Sequence, residues 1–408
     1  MAATMTFEYS VRDRGGKLVT GRIDADSQAA VAQKLRSMGY APVSIAQAAG
    51  GGMKKELSLP RIGGAVKLKE LAIFSRQFAT MVNAGLSLLR ALSILEEQTE
   101  SKALAEVLTG VRQDVETGQS LSSSLGKYPK IFPSLMVNMI RAGEVGGFLD
   151  SVMIQIAENY EAETKLRSKI KSAMTYPVVV FCIAILAVIG MLLFIVPVFA
   201  GLFSTLGGSL PAPTQILVDA SHFLKYAGPF LIIGLIALFI FWTRIKHEER
   251  VRRVVDPIKL KIPVFGTLFQ KIALSRFTRN LGTMLRSGVP ILQALDIVAD
   301  TTGSTVVADA VRDVQDSVRN GESITAPLAA HPIFPPMVVQ MMSVGEDTGA
   351  LDAMLHKISD FYDQEVEATT EALTALIEPL MIVFLGAIIG SMIIALYMPI
   401  FNIYNLIK

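Results

Sequence analysis

Apolar residues recur at helical spacing through two stretches of the chain, 67–172 and 271–375, and each stretch runs on into a segment that is apolar on every side. In the first stretch the periodic segments are 67–84, 87–99, 101–117, 120–127, 133–142 and 147–172, punctuated by Gly, Pro or Ser. The second stretch repeats the first. FSRQFATMVNAGLSLLRALSIL from Phe74 is answered by FTRNLGTMLRSGVPILQALDIV from Phe277, which sets Gly85 against Gly288 at an offset of 203 (288 − 85). One residue is then lost, and Glu144 stands against Glu346 at 202 (346 − 144). Tyr160, Pro177, Pro197 and Phe199 match Tyr362, Pro379, Pro399 and Phe401 in that register. The pattern predicts a mainly α-helical fold made of two copies of one unit, each a helical bundle with its own apolar anchor.

Three segments are long enough to cross a bilayer, which takes about 20 apolar residues: 174–200, 226–245 and 376–401. The middle one has no counterpart in the repeat. An extra crossing is what lets two copies of a bundle-plus-one-anchor unit share an orientation. Lys165, Arg167, Lys169 and Lys171 precede the first span, the 201–225 loop holds a single Lys, and the 246–270 connector opens with Lys246, Arg250, Arg252 and Arg253. Positive charge stays on the cytoplasmic side, so the N-terminus and both bundles are expected inside, with the 201–225 loop and the 402–408 tail outside.

Ahead of the repeats, residues 1–49 read as a small α/β unit. FEYSV and KLVTGRI flank Gly15-Gly16 as a hairpin, Ser27 caps a helical stretch, and Pro42 opens a last short strand. Residues 50–66 read as a flexible linker.

Composition agrees with a membrane protein that keeps large water-facing parts: 408 residues, 51% hydrophobic and only 18% charged, with mean hydropathy +0.47. A net charge of +2 supplies no field for nucleic acid. Cys182 is the sole cysteine, which rules out a disulfide or a thiolate metal site within one chain. The first residues hold no apolar stretch long enough for a signal peptide.

Chemistry is sparse. No G-x-x-x-x-G-K-[ST] is present, His222, His247, His331 and His356 never fall at metal-ligand spacing, and Ser122, Ser123 and Ser124 have no His or Asp partner nearby in sequence. No catalytic group, cofactor or metal site is therefore expected. Asp150, Glu158, Glu161 and Glu163 read as a solvated acidic face, with a cation site as the less favoured alternative. The most specific soluble motif is doubled: Gly143-Glu144-Val145-Gly146-Gly147 and Gly345-Glu346-Asp347-Thr348-Gly349. As a turn, it would put Gly143 and Gly345 in the left-handed position, with Gly147 and Gly349 letting the next helix start close by. Glu144 and Glu346 would then sit near a helix N-terminus. The alternative is a docking surface for a partner. Arg76 and Arg279 occupy matching places and could bridge to these glutamates. The matched prolines read as structural, Pro177 marking the membrane boundary. Arg250, Arg252 and Arg253 form a basic patch for anionic lipid or, less favoured, an acidic motor surface. Glu378, preceding Pro379, is the single intramembrane candidate; placed at the headgroups, it offers little to a transporter reading.

AIFSRQFATMVNAGLSLLRAL, GQSLSSSL, FPSLMVNMIRAGEVGGFLD, KIKSAMTYPVVV and GGSLPAPTQ together resemble the inner-membrane platform proteins of type IV pilus assembly. That family shares its duplicated domain with the F component of type II secretion systems, and AIFSRQFATM, VNMIRAGEVGG and KSAMTYP are more similar to the pilus branch. The resemblance implies a multi-pass protein of the bacterial inner membrane with its C-terminus in the periplasm. It implies contacts with a cytoplasmic hexameric assembly ATPase, a retraction ATPase where one exists, pilin subunits and other inner-membrane assembly proteins. A motor with rotational symmetry makes a homo-oligomer the expectation. A type II secretion F component driving a pseudopilus is the alternative, with a small-solute transporter behind it. Family members have been proposed to bind a divalent cation through acidic side chains of the first bundle. Here the helix after the first turn reads DSVMIQIAENY, with Ile154 four residues before Glu158, and that site is not carried over.

Overall fold

The computed structural model describes residues 5–12, 18–25, 27–37, 41–47, 66–205, 210–246 and 248–406. Gly15-Gly16 and all of the expected linker except Val66 lie outside the described residues. The chain divides into two compact units, Met1–Gly64 and Ala65–Lys408.

The first unit holds β1 (Met5–Arg12), β2 (Leu18–Ala25), α1 (Gln28–Ser37) and β3 (Ala41–Gln47), with an antiparallel sheet in the order β2-β1-β3. The Ser27 hydroxyl accepts from the Ala30 N–H at 3.3 Å and caps α1. Val31 and Leu35 turn to Ile23 and Ala25 on β2. The β1–β3 ladder shifts register at Ser10/Val11, where Val11 meets Pro42, a residue with no N–H to give.

The second unit is helical throughout. The first copy comprises α2 (Leu68–Asn83), α3 (Leu88–Gln98), α4 (Lys102–Glu116), α5 (Leu121–Gly126), α6 (Ser134–Gly146) and α7 (Leu149–Gly190). A π-helical turn (Met191–Ile195) joins α7 to α8 (Val196–Thr205). Then come α9 (Ala212–Ile245) and α10 (Glu249–Lys261). The second copy is α11 (Phe265–Arg286), α12 (Ile291–Thr301), α13 (Thr305–Arg319), α14 (Thr325–Ala330), α15 (Pro336–Thr348) and α16 (Leu351–Leu406). Among the described residues three helices are long and apolar enough to cross a membrane: Leu149–Leu202, Ala212–Ile245 and Leu351–Pro399.

The bundle helices fall within a residue or two of the periodic segments, except that α6 runs on to Gly146 rather than stopping at 142 and α7 continues past 172 to Gly190. The expected 201–225 loop is largely helical. Residues 212–225 extend α9 ahead of its span, because Val218 packs with Val196 and Leu396, and the Thr214 hydroxyl donates to the Ala395 carbonyl. Pro177 does not mark a helix boundary: α7 passes through it unbroken. A proline leaves one carbonyl unpaired four residues back, and the remaining hydrogen bonds of this long helix carry it through.

Each bundle core is built from one stripe per helix. On α2, Leu71, Phe74 and Phe78 point inward, and Phe74 meets Phe132 with ring centroids 5.8 Å apart. On α11 the matching Leu274, Phe277 and Leu281 do the same, and Phe277 packs edge-on to Phe334 at 5.3 Å. A connected cluster of buried apolar side chains runs through both copies.

Candidate functional site

The doubled glycine-glutamate motif forms the last turn of α6 and of α15, and the roles of its glycines are reversed from the expectation. Gly147 and Gly349 are the left-handed residues, at φ 76° and 69°. Gly143 and Gly345 lie inside their helices, where a Cβ would come within 3.1 Å of the Leu149 Cα and 3.0 Å of the Leu351 Cα. They are small because the next helix passes almost against their backbone.

Glu144 and Glu346 do cap helices, though not the ones that follow them. Glu144 accepts from the Leu121 and Ser122 N–H groups at 2.5 and 3.1 Å, closing the N-terminus of α5. Glu346 accepts from the Ile324 N–H at 2.8 Å and from the Ser323 and Thr325 hydroxyls at 3.0 and 3.3 Å, closing α14. Leu121 and Ile324 are repeat equivalents (324 − 121 = 203), so one clasp occurs twice. It fastens helices 22 residues apart in sequence, and in both copies the carboxylate is engaged by its own bundle.

Arg76 and Arg279 do not reach these glutamates; each holds the long helix of its bundle instead. Arg76 donates to both oxygens of Glu161 at 2.6 and 2.5 Å. Arg279 pairs with Asp363, which also accepts from the Ser275 hydroxyl at 2.6 Å. Glu161 and Asp363 are themselves equivalents (363 − 161 = 202). The Arg76 hydrogen bonds hold the Glu161 carboxyl below its usual range. Of the expected solvated acidic face, Glu161 and Glu163 are thus paired, because α2 and the second copy close over them, whereas Asp150 and Glu158 stand exposed. Glu163 binds Arg167 at 2.6 Å and reaches Arg276 at 3.4 Å. Burial lowers the Arg276 pKa, with Glu163 opposing the shift.

The two copies meet through a face the sequence did not mark. Asn159 on α7 donates to Asn280 at 3.3 Å and to Thr283 at 3.4 Å, the Ser287 hydroxyl donates to Gln155 at 2.8 Å, and Gln293 donates to Asn138 at 3.1 Å. Lys169 pairs with Glu367, and Leu166 packs with Leu268, Val366 and Leu373. A cavity of about 430 Å³ lies between α7, α11 and α16, lined by Glu158, Arg279, Arg286, Asp352 and His356 among others. Among the described residues no group of three or more His, Cys, Asp or Glu side chains converges as a metal site would require.

The basic patch is divided. Arg253 binds Glu249 at 2.8 Å, Arg252 leans on Asp256 at 3.7 Å, and Arg250 is exposed. Asp256 is the residue that sequence reasoning missed: it is buried, binds Lys259 at 3.0 Å and accepts from the Thr305 N–H at 3.1 Å, capping α13. Its only signal was an acid set among cations in the body of α10, where Glu249 at the start is the one other acid. The matched prolines also diverge: Pro177 and Pro399 are buried, whereas Pro379 and Pro197 are exposed.

A duplicated six-helix bundle, whose last helix in each copy continues as a candidate span, defines a class of membrane protein with the anchor built into the repeat. Residues 74–197 and 277–399 each match the family described as type II secretion system (T2SS), protein F, and residues 1–46 match its N-terminal domain. The chain belongs to the type II secretion system protein F family. It is 44% identical to the type IV pilus assembly protein PilC of Thermus thermophilus over 97% of this chain and 98% of that protein. It is 41% identical to the type IV pilus assembly protein PilC of Myxococcus xanthus over 100% of this chain and 97% of that one. The type II secretion system protein F of Vibrio cholerae is 33% identical over 98% of this chain and 99% of its own length.

Proposed function

We propose that the chain is the inner-membrane platform of a type IV pilus assembly machine, coupling a cytoplasmic assembly ATPase to extraction of pilin from the bilayer and to fibre polymerisation. The observation that carries this reading is the end-to-end identity of 44% and 41% with two type IV pilus assembly proteins. The 33% identity with a type II secretion F protein makes a pseudopilus platform the second reading.

The architecture suits the task. A subunit held by one apolar helix of about 20 residues leaves lipid only at a large cost, since each buried CH₂ contributes about 0.8 kcal/mol. That energy must come from nucleotide hydrolysis elsewhere, as the chain has no P-loop sequence and takes no chemical step in this reading. What it supplies is a rigid link: α7 and α16 run without a break from bundle to span. With the basic residues before 174 and after 243 held inside, both bundles and the N-terminal unit face the cytoplasm, where a motor can reach them, and the C-terminus is periplasmic. Arg250 then lies at the inner leaflet, available to anionic headgroups.

Deleting the gene should leave pilin made and processed but not polymerised. Surface fibres at normal abundance after deletion would sink the reading. Alkaline phosphatase fused after Lys408 should be active and after Lys261 inactive; the reverse pattern would overturn the orientation.

A further inference from the structure

The two copies dock head to tail, and that geometry leaves one half of the same interface open at each end of the chain. The first copy contributes Asn138, Gln155, Asn159, Leu166 and Lys169, on α6 and α7. The second contributes Asn280, Thr283, Ser287 and Gln293 on α11 and α12, with Glu367 on α16. These are different faces of equivalent units. A two-fold contact would use the same face on both sides; this contact does not, so it can be continued by further units.

The unused faces can be read by the repeat offset. On the first copy the equivalents of Asn280, Thr283 and Ser287 are Gln77, Thr80 and Ala84, all exposed, while in the second copy Asn280 and Ser287 are buried. Ile73, one turn before Gln77, is 49% exposed. The groove beside it, about 550 Å³ between α2 and α7, carries Lys69, Lys165 and Lys169 together with the paired Arg76 and Glu161. On the second copy the equivalent of the buried Asn159 is Phe361, which stands 44% exposed on α16. Asp360 and Glu371 are exposed on the same helix. Lys165 on the first face and Glu371 on the second bring opposite charges, and each face exposes one large apolar side chain, Ile73 and Phe361.

The ion pair across the internal contact sharpens the match. Lys169 of the first copy binds Glu367 of the second. Their equivalents across the continued contact are Glu371 (169 + 202) and Lys165 (367 − 202). The charges have exchanged sides and still attract. Among the described residues neither Lys165 nor Glu371 has an ion pair.

We propose that the α2–α7 groove of this chain receives the α16 face of a second copy, in the same head-to-tail geometry that joins the two repeats, with Phe361 set against Ile73 and Gln77 and with Glu371 paired to Lys165. Because α7 and α16 both continue as candidate spans, successive chains added by this contact stay in one membrane plane and form a ring where the rotation closes. The inference uses only the internal interface and stands apart from the pilus reading.

The test is made on the full chain. In a Cys182→Ser background, Gln77→Cys combined with Phe361→Cys should yield disulfide-linked dimers or a closed ladder on mild oxidation of membranes, and neither single substitution should. Both positions are exposed, so membrane insertion should match the parent. In detergent, Lys165→Glu and Glu371→Lys should each shift the assembly towards single chains, and the two together should restore it. Absence of the paired cross-link overturns the proposal whatever the size of the particle. So does a parent protein that is a single chain at micromolar concentration.

Discussion

The two repeats carry the same clasps in different surroundings. In the first copy, Arg76 and Glu161 grip each other at the surface, with 41% and 43% of their side chains exposed. In the second, Arg279 and Asp363 form the equivalent pair under the cover of α7, with 7% and 28% exposed. The chemistry was inherited by both copies, and the energetic weight was assigned by packing. An exposed pair is worth about 0.2–1 kcal/mol, whereas breaking a buried one costs about 3–5 kcal/mol, since the remaining charge loses its compensation.

The largest expected effect tests that contrast directly. Arg279→Ala should destabilise the purified chain by about 2–3 kcal/mol, below the fully buried limit because Asp363 keeps some water, and Arg76→Ala by less than about 1 kcal/mol. Equal shifts in thermal unfolding would show that the two clasps are not differentiated by burial.

Next come the helix-crossing glycines, where the copies should agree. Gly143→Val and Gly345→Val each force a branched side chain against the next helix, and overpacking of this kind costs about 1–3 kcal/mol. A loss in one copy alone would mean that the other has room to relax.

The glutamate caps come third. Glu144→Ala strips two backbone N–H groups, and losses at helix N-termini run near 1 kcal/mol. Glu346→Ala should cost less, because the Ser323 hydroxyl still accepts from the Thr325 N–H at 3.1 Å. The reverse order in urea midpoints would contradict the geometry.

The smallest effect is one of pH. The Glu161 pKa is lowered in the folded chain, so its contribution is complete above the unfolded value of about 4.3 and is lost as pH falls through the folded value. Acidification below about pH 4 should therefore lower the melting temperature of the parent slightly more than that of Arg76→Ala. Parallel curves would remove Glu161 from the acid response.

Where sequence reading succeeded and failed follows one line. The bundle helices were legible because a helix is specified by neighbours three and four residues apart, and the duplication states each pattern twice. Glu144 was legible as a cap but not as the cap of α5. Its target lies 22 residues earlier and depends on how α5 folds back over α6. Gly143 was misplaced for a related reason: a glycine needed for close approach and one needed for positive φ look alike in text, and Gly147 supplied the second role. Arg76 and Arg279 were recognised as a matched pair, yet their partners sit 85 and 84 residues away, on α7 and α16.

By itself the sequence determined the parts: a duplicated helical unit, three apolar segments, the charge asymmetry around them, and a family membership that extends along the whole chain. Those are local or repeated signals, and they survive without knowledge of any long-range contact. Only the tertiary structure decided that α7 is the element joining the copies, that Asp256 anchors α10 to the second bundle, and that Asn159 and Phe361 lead opposite lives at one repeat position. Equivalent residues acquire different roles when a head-to-tail contact covers one copy's face and leaves the other's exposed, and that asymmetry is created by docking rather than by any residue acting alone.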